Sequence, residues 1–338
     1  SYDGIALVMM ERGDFKAAIA CYEKALERDP DNIDLLNELG IAYHELGDED
    51  MAMAIYERAT QMEPNFGYPY YNKARLLVAK GRYGEAISNL ETAVSLYKGE
   101  RDKLTDVLFE LAGVYEDMMD DARAVEIYGE ILMLDLDNLE ALVSLGSIHL
   151  DNCEYEKAAA YFDRVIKLDP ENDLAYLEKG YALGCMGDVE TELEYLDKCL
   201  AINPENKYAL SNKGAALMER GMLDEAEEFF SRAIEVDAEY SWPYYNLACL
   251  SALRGDTINA PLLGMTAVVS EDSVRRNLGR MDEGEGMKWL QDQIPGMNFT
   301  LLSSIPVVKK ARVMKPRATG LAVTKTWKYL KQRLPSSA

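Results

Sequence analysis

One stretch of the sequence, Ile33 to Pro64, recurs along most of the chain at a spacing of 34 residues. Before and after the turn at Gly47-Asp48, its apolar residues follow the spacing of three, four and seven that is typical of amphipathic helices. The stretch therefore predicts two helices joined by a short turn. The positions equivalent to Ala52 are Ala18, Ala52, Ala86, Ala124, Ala158, Glu192, Ala226 and Ala260.

A second position is small in every copy, which constrains how the two helices pack. It is occupied by Ala6, Gly40, Ala74, Ala112, Gly146, Gly180, Gly214 and Ala248. Small residues are needed where helix axes approach so closely that a larger side chain does not fit. The turn position is glycine in most copies, with Met119 and Cys153 as the exceptions.

A 34-residue helix–turn–helix period with these small positions resembles the tetratricopeptide repeat (TPR) family over roughly residues 1–260. The resemblance implies an all-α fold, a right-handed superhelical solenoid of helical hairpins, across residues 1–267. The expected repeats are residues 1–32, 33–66, 67–104, 105–138, 139–172, 173–206, 207–240 and 241–269.

Two places depart from the period. Four extra residues between the third and fourth repeats, around residues 98–103, predict either a longer loop or lengthened helix ends. In the sixth repeat, Glu192 takes the alanine position and Gly184 interrupts the first helix. Since an unpaired buried carboxylate is costly, we expect this repeat to shift and expose Glu192.

Charge divides the chain sharply. Residues 261–338 contain 13 Lys/Arg and 6 Asp/Glu, a net charge of +7, so the total of −23 leaves −30 for residues 1–260. We expect short capping helices within residues 270–294 and a basic, flexible tail over residues 295–338, in which Leu321 to Leu334 has the spacing of an amphipathic helix. Three interpretations of this tail remain open: an arm that docks on acidic surface, a helix that binds membrane or nucleic acid, or non-native sequence.

Composition and motifs argue against other classes of protein. No run of 18 apolar residues predicts a membrane span, and no secretory signal is recognisable, so we expect a cytoplasmic protein. Five cysteines without CxxC pairing and two histidines offer no metal site, and no cofactor motif is present. No catalytic motif was found either, so we expect a non-catalytic protein.

The resemblance implies that the first helices line a concave groove, with the second, fifth, sixth and ninth positions of each repeat facing inward. Aromatic side chains there would anchor an extended or helical partner segment, and amides would bond its backbone. Packing between neighbouring first helices is the alternative role for the aromatic residues. The candidate groove residues are Tyr68, Tyr71, Asn72, Arg75, Tyr181, Tyr208, Asn212, Trp242, Tyr245 and Asn246.

The partner is expected to be another protein, and the acidic repeats favour a basic segment and disfavour nucleic acid. Lysine is absent from the fifth position of every repeat, which argues against the carboxylate clamp of chaperone-binding TPR proteins. Two alternatives remain open. The first alternative is a self-assembling homo-oligomer, and the second is an accessory region of a larger enzyme such as a glycosyltransferase.

Overall fold

A computed structural model describes residues 2–254 of the chain, and these form helices joined by short turns. The helices of this part are α1 (Tyr2–Glu11), α2 (Phe15–Leu26), α3 (Ile33–Leu46), α4 (Glu49–Met62), α5 (Gly67–Ala79), α6 (Tyr83–Leu96), α7 (Arg101–Asp117), α8 (Asp121–Leu134), α9 (Leu139–Asp151), α10 (Tyr155–Leu168), α11 (Asp173–Cys185), α12 (Val189–Ile202), α13 (Lys207–Glu219), α14 (Leu223–Val236) and α15 (Ser241–Leu253). The all-α prediction is confirmed. The expected capping helices and basic tail lie outside the described residues.

The chain divides into two compact units, residues 1–148 and 149–338. In the first unit, consecutive helices from α1 to α8 pack in antiparallel pairs, and the odd-numbered helices also touch one another, α3 with α5 and α5 with α7. In the second unit, α10 to α15 pack in the same way, and α11 contacts α13 while α13 contacts α15. The described part of each unit is thus a stack of helical hairpins, in which the first helices α3, α5 and α7, or α11, α13 and α15, lie side by side.

Aspartate and asparagine fix where many of the helices begin. The Asp48 carboxylate accepts a hydrogen bond from the Met51 amide at 3.2 Å, and the Asn32 amide oxygen accepts one from Leu35 at 3.1 Å. Such caps satisfy amide groups that the first turn leaves without partners inside the helix. Equivalent caps are made by Asp14, Asp120, Asn172, Asp188 and Asn206.

The small positions lie where the hairpins are tightest. A Cβ atom on Gly40 would come within 2.4 Å of the Tyr56 ring, and one on Gly214 within 2.6 Å of the Phe230 ring. Ala52, on the facing helix, is 0% exposed. The sequence expectation that these residues permit close helix contact is therefore confirmed.

The turn positions adopt a left-handed backbone whether or not they are glycine. Gly47 has φ of +85°, and Met119 and Cys153 each have φ of +59°. A side chain in this region costs roughly 1–2 kcal/mol because its Cβ crowds the neighbouring carbonyl oxygen. The geometry of the hairpin therefore places Met119 and Cys153 in a left-handed backbone conformation that residues with a side chain disfavour.

Replacing Met119 by glycine is expected to raise the free energy of unfolding by about 0.5–1 kcal/mol, because it removes this crowding while adding freedom to the unfolded chain. Met119 is 90% exposed, so little apolar burial is lost. The measurement is urea denaturation followed by circular dichroism. Met133→Gly is the matched control: Met133 is 78% exposed within α8, and there glycine should destabilise by about 1 kcal/mol. Equal effects in both variants would contradict the argument.

The four extra residues lengthen a helix rather than a loop. Four residues separate α4 from α5, and four also separate α6 from α7. Helix α7 has 17 residues, whereas α5 has 13. The insertion therefore adds about one turn to the beginning of α7.

The sixth repeat corrects two expectations. Helix α11 passes through Gly184 without a break, and Glu192 is buried, at 3% exposure, instead of being turned to solvent. A Cβ atom on Gly180 would meet its nearest neighbour, in Tyr195, at 3.3 Å, so this hairpin is less tight than the one at Gly40. The looser packing is consistent with a longer side chain buried at this position.

None of the helices within residues 2–254 is both long enough and apolar enough to cross a membrane.

Candidate protein-interaction faces

In the first unit, the first helices of three successive repeats present one shared surface, which we call the α3–α5–α7 face. Contacts between α3 and α5 and between α5 and α7 bring the second, fifth, sixth and ninth positions of these repeats side by side. Tyr71 and Arg75 lie on its middle helix, and each outer helix contributes two carboxylates and one large apolar side chain. Its members are Asp34, Glu38, Ile41, Tyr71, Arg75, Asp106, Phe109 and Glu110.

Tyr71 and Arg75 lie together on this face, as the sequence analysis grouped them. The Arg75 guanidinium is 5.9 Å from the centre of the Tyr71 ring, a cation–π distance. Partial burial raises the pKa of Tyr71, and the neighbouring Glu110 and Asp106 carboxylates add to the rise, which Arg75 partly offsets. Tyr71 is therefore half-buried beside the negative charge of α7.

Tyr68 lies at the end of the same helix and is partly exposed. Its ring packs edge-on against Tyr97 at 5.7 Å and against Phe66 at 5.6 Å, and the Lys103 ammonium lies 4.8 Å from its centre. One side of the ring thus contributes to packing between repeats, as the alternative interpretation of these aromatics expected. The remaining surface of the ring faces solvent.

Asn72 is engaged within the protein. It is 8% exposed, and its amide nitrogen donates a hydrogen bond of 2.9 Å to the amide oxygen of Asn37, which is 5% exposed. The bond joins α5 to α3 across two repeats. One N–H donor of Asn72 is therefore used within the protein, and the low exposure of the side chain restricts the access of a partner backbone to its other N–H and its oxygen.

The carboxylates of the face lack cationic partners. Neither pair, Asp34 with Glu38 or Asp106 with Glu110, forms an ion pair within residues 2–254. Each pair is spaced i,i+4 on its helix, where like charges repel. Burial raises the pKa of Glu38, and the nearby Asp34 adds to the effect.

Three carboxylates on the second helices α4 and α6 behave differently. Glu57 lies 3.3 Å from the Lys73 ammonium, Glu49 lies 3.0 Å from that of Lys80, and Glu85 lies 2.7 Å from the Arg82 guanidinium. Some carboxylates of α4 and α6 are therefore neutralised by ion pairs, whereas the four on the α3–α5–α7 face, like Glu91, Glu126 and Glu130 on α6 and α8, form none within residues 2–254.

The second unit presents aromatic residues at the second and fifth positions. The Tyr208 ring packs edge-on against Tyr240 at 5.3 Å, with the Lys207 ammonium 5.2 Å from its centre. Trp242 and Tyr245 form a similar pair at 6.2 Å, and both rings are half-buried. Burial raises the pKa of Tyr245 to about 12.

Three predicted residues of the second unit differ in their access to solvent. Asn212 is partly exposed, whereas Tyr181 and Asn246 are buried. The pKa of Tyr181 is raised, first by burial and then by a hydrogen bond with Cys185. The expectation that the predicted groove residues are exposed therefore does not hold for Tyr181 and Asn246, because both pack inside the layer of first helices.

Sequence reasoning missed a buried lysine that recurs in the second unit. The Lys179 ammonium contacts the Asp163 carboxylate, donates to the Tyr195 hydroxyl at 2.8 Å, and is almost fully buried. Lys213 contacts Asp197 in the same way, one repeat later. The available signal was the 34-residue spacing of both the lysines and the aspartates, which marks a link between successive repeats.

Glu178 makes stability depend on pH. Burial, helped by the nearby Asp151 carboxylate, raises its pKa to about 7 from an ordinary value of 4.5. The folded state then binds more protons than the unfolded state between these values, so its stability falls as pH rises through this window. Glu178→Gln should gain about 3 kcal/mol over the wild type at pH 8 and little at pH 4.5. Denaturation at both pH values measures this, and a gain independent of pH would contradict it.

Comparison with known families confirms the repeat pattern. One family model, described as "TPR repeat", matches residues 6–47. Models described as "Tetratricopeptide repeat" match residues 33–66, 55–88, 139–172, 174–206 and 208–240. The chain belongs to the tetratricopeptide repeat family. Two of the matches, residues 33–66 and 139–172, coincide with TPR repeats expected from the sequence, and the hairpins follow the same frame.

Solved TPR structures share this fold. The C-terminal part of a TPR repeat-containing protein from Cytophaga hutchinsonii is 16% identical, with a TM-score of 0.61, and the match covers 70% of this chain and 96% of that one. Pseudomonas aeruginosa pilF is 21% identical, with a TM-score of 0.50, over 62% and 93% of the two chains. YrrB, described as a TPR protein with an unusual peptide-binding site, is 22% identical, with a TM-score of 0.48, over 57% and 97%.

A search of curated protein sequences finds no match to the chain. The structures with TM-scores of 0.61 and 0.50 support the TPR fold, while the partner has to be argued from the faces themselves.

Proposed function

We propose that the chain is a non-catalytic scaffold that holds an extended or helical, basic segment of another protein on the layer of first helices. The α3–α5–α7 face is the main site in this proposal. The tyrosine and tryptophan side chains of α13 and α15 offer a second surface of similar composition in the other unit. Stacked hairpins commonly serve as binding surfaces, because their first helices form a wide, continuous layer.

The observation that carries the proposal is the grouping of four carboxylates with half-buried aromatic rings on one face. Asp34, Glu38, Asp106 and Glu110 form no ion pair within residues 2–254, and the half-buried rings of Tyr71 and Phe109 share the face with them. Repulsion within each i,i+4 pair makes the free face less stable than it would be with a basic ligand bound. Charge complementarity of this kind favours basic partners and speeds their association.

The half-buried aromatic rings of the face supply contact area. Tyr71 and Phe109 are half-buried, so each ring keeps surface for a ligand while its neighbours fix its orientation. Aromatic rings held in this way lose little conformational freedom on binding and often dominate the energy of an interface. The chemistry fits a partner segment with basic residues around an apolar stripe.

The test is retention of partners from cell extract by the full chain carrying a four-residue substitution. The face variant combines Asp34→Asn, Glu38→Gln, Asp106→Asn and Glu110→Gln. The control variant makes the same change in charge at exposed carboxylates outside the α3–α5–α7 face, namely Glu63, Glu91, Glu126 and Glu130, each replaced by glutamine. Bound proteins are quantified by mass spectrometry.

We expect the control to retain the same proteins as the wild type and the face variant to retain at least about tenfold less, since several ion pairs of about 0.5–1 kcal/mol each are lost. Circular dichroism should show all three chains folded. Equal retention by the face variant and the control would refute the proposed site.

A further inference from the structure

Two cysteines of the second unit lie beside the same tyrosine hydroxyl. Cys153 occupies the turn between α9 and α10, and Cys185 is the last residue of α11. Because α10 and α11 are antiparallel neighbours, the beginning of α10 lies beside the end of α11. Tyr155, the first residue of α10, forms hydrogen bonds with both thiols, and the bond with Cys153 is the largest cause of the raised pKa of this tyrosine. The two sulfur atoms are therefore near neighbours.

The two thiols differ in their access to solvent. Cys153 is exposed, in a turn where its backbone has φ of +59°. Cys185 is partly exposed and also forms a hydrogen bond with Tyr181, one turn earlier in α11. Neither cysteine is in a disulfide bond. An oxidant in solution therefore reaches Cys153 more easily, and Cys185 stands beside it as a second thiol.

The other three cysteines do not combine access with a neighbouring thiol. Burial raises the pKa of Cys199 to about 12 and that of Cys249 to about 11, so both thiols stay protonated and unreactive near neutral pH. Cys21 is partly exposed, but it is the only cysteine among residues 1–148, so the first unit has no second thiol. Among the cysteines of the described residues, Cys153 and Cys185 are therefore the pair suited to oxidation.

We propose that Cys153 and Cys185 form a reversible redox site that hydrogen peroxide converts into a disulfide. The Cys153 sulfur attacks one peroxide oxygen, so an S–O bond forms, the O–O bond breaks, and a first water leaves with the Cys153 proton. The Cys185 sulfur then attacks the Cys153 sulfur, which forms the S–S bond and breaks the S–O bond. The hydroxyl group leaves as a second water with the Cys185 proton. Two thiols thereby lose two electrons, and the peroxide gains them.

The disulfide would join the turn of the fifth repeat to the first helix of the sixth. It closes a loop of residues 153–185, and such a cross-link stabilises the folded chain mainly by restricting the unfolded one. Turning the Cys185 sulfur towards Cys153 also alters the hydrogen bond with Tyr181, so oxidation acts on a first helix. The site therefore makes the stability of these two repeats depend on redox conditions. The inference does not rest on the proposed partner site, which lies in the first unit.

The experiment maps the disulfides of the full chain. The reduced protein is treated with hydrogen peroxide at pH 8, where an ordinary thiol is partly ionised. The remaining thiols are blocked with iodoacetamide, the chain is digested without reduction, and linked peptides are identified by mass spectrometry. Cys153→Ser and Cys185→Ser each remove one thiol of the pair. Cys21→Ser is the matched control, because Cys21, like Cys185, is partly exposed.

We expect one main pair of linked peptides, joining Cys153 to Cys185, in the wild type and in Cys21→Ser, and we expect dithiothreitol to separate it. In Cys185→Ser, sulfenic acid should accumulate on Cys153, and dimedone should label it at least about fivefold more than Cys185 in Cys153→Ser. Absence of the linked peptides from the oxidised wild type would overturn the proposal. Equal labelling of the two variants would refute Cys153 as the attacking thiol.

A gel run without reductant tests whether the bond lies within one chain. We expect the oxidised wild type to remain a monomer, whereas a dimer linked through Cys153 would contradict the proposal. Urea denaturation followed by circular dichroism tests the effect on stability. Oxidation should raise the midpoint by about 1 M in the wild type and in Cys21→Ser, and should leave Cys153→Ser unchanged. A midpoint unchanged by oxidation in all three chains would refute the stabilising role of the link.

Discussion

Ala52→Asp is expected to lower the free energy of unfolding by about 4 kcal/mol, because it places a charge without a partner in a closed hairpin. Ala52 is 0% exposed in α4, facing the helix that carries Gly40. The side chain has no route to water without separating α3 from α4. Urea denaturation followed by circular dichroism measures the loss.

The matched control is Ala54→Asp, two residues along the same helix and exposed. It should cost no more than about 0.7 kcal/mol, which is the difference in helix propensity between alanine and aspartate. If both substitutions had the same effect, Ala52 would not lie at the contact between the helices. The repeat frame would then be wrong.

Gly40→Val should destabilise by about 3 kcal/mol through overpacking. The new Cβ atom alone would come within 2.4 Å of the Tyr56 ring, which is fully buried. Either the ring must leave its position or the helices must move apart. The measurement is again the change in denaturation midpoint.

Gly129→Val provides the control, since a Cβ atom on Gly129 in α8 meets nothing within 4 Å. This variant should stay within about 0.5 kcal/mol of the wild type or become slightly more stable, because valine has the higher helix propensity. Combining Gly40→Val with Tyr56→Leu should give a smaller loss than the sum of the single changes. Strict additivity would show that Gly40 and Tyr56 do not interact.

The fold was predictable because its information is local and repeated. In one repeat, the small residues Gly40 and Ala52 predict where the two helices touch, and Gly47 predicts the position of the turn. The later copies of the repeat support the same prediction, because they have the same residue types at the same spacing. In the less regular sixth repeat, the predicted exposure of Glu192 was wrong, because this side chain is buried. Sequence alone does not reveal that the hairpin around Gly180 is less tight than the one around Gly40.

The candidate site was predictable only in outline. Repeat position places Tyr71 and Asn72 on a first helix, but it does not show that Asn72 bonds to Asn37. That bond depends on the rotamers of two side chains in different repeats. The net charge of the repeats also does not reveal how the charges are distributed among the helices. The net charge of −30 over residues 1–260 does not show that some carboxylates have ion pairs and the four on the face do not.

The length of the insertion before α7 has a consequence for how such arrays change during evolution. Four residues add about one full helical turn, so every residue after them keeps its neighbours, and the spacing between α6 and α7 is unchanged. An insertion of two residues within the helix would turn the following side chains by about 200° and exchange the inner and outer faces. Selection should therefore tolerate gains and losses of whole turns at hairpin junctions, and repeat length can drift in steps of about four residues while the binding surface is preserved.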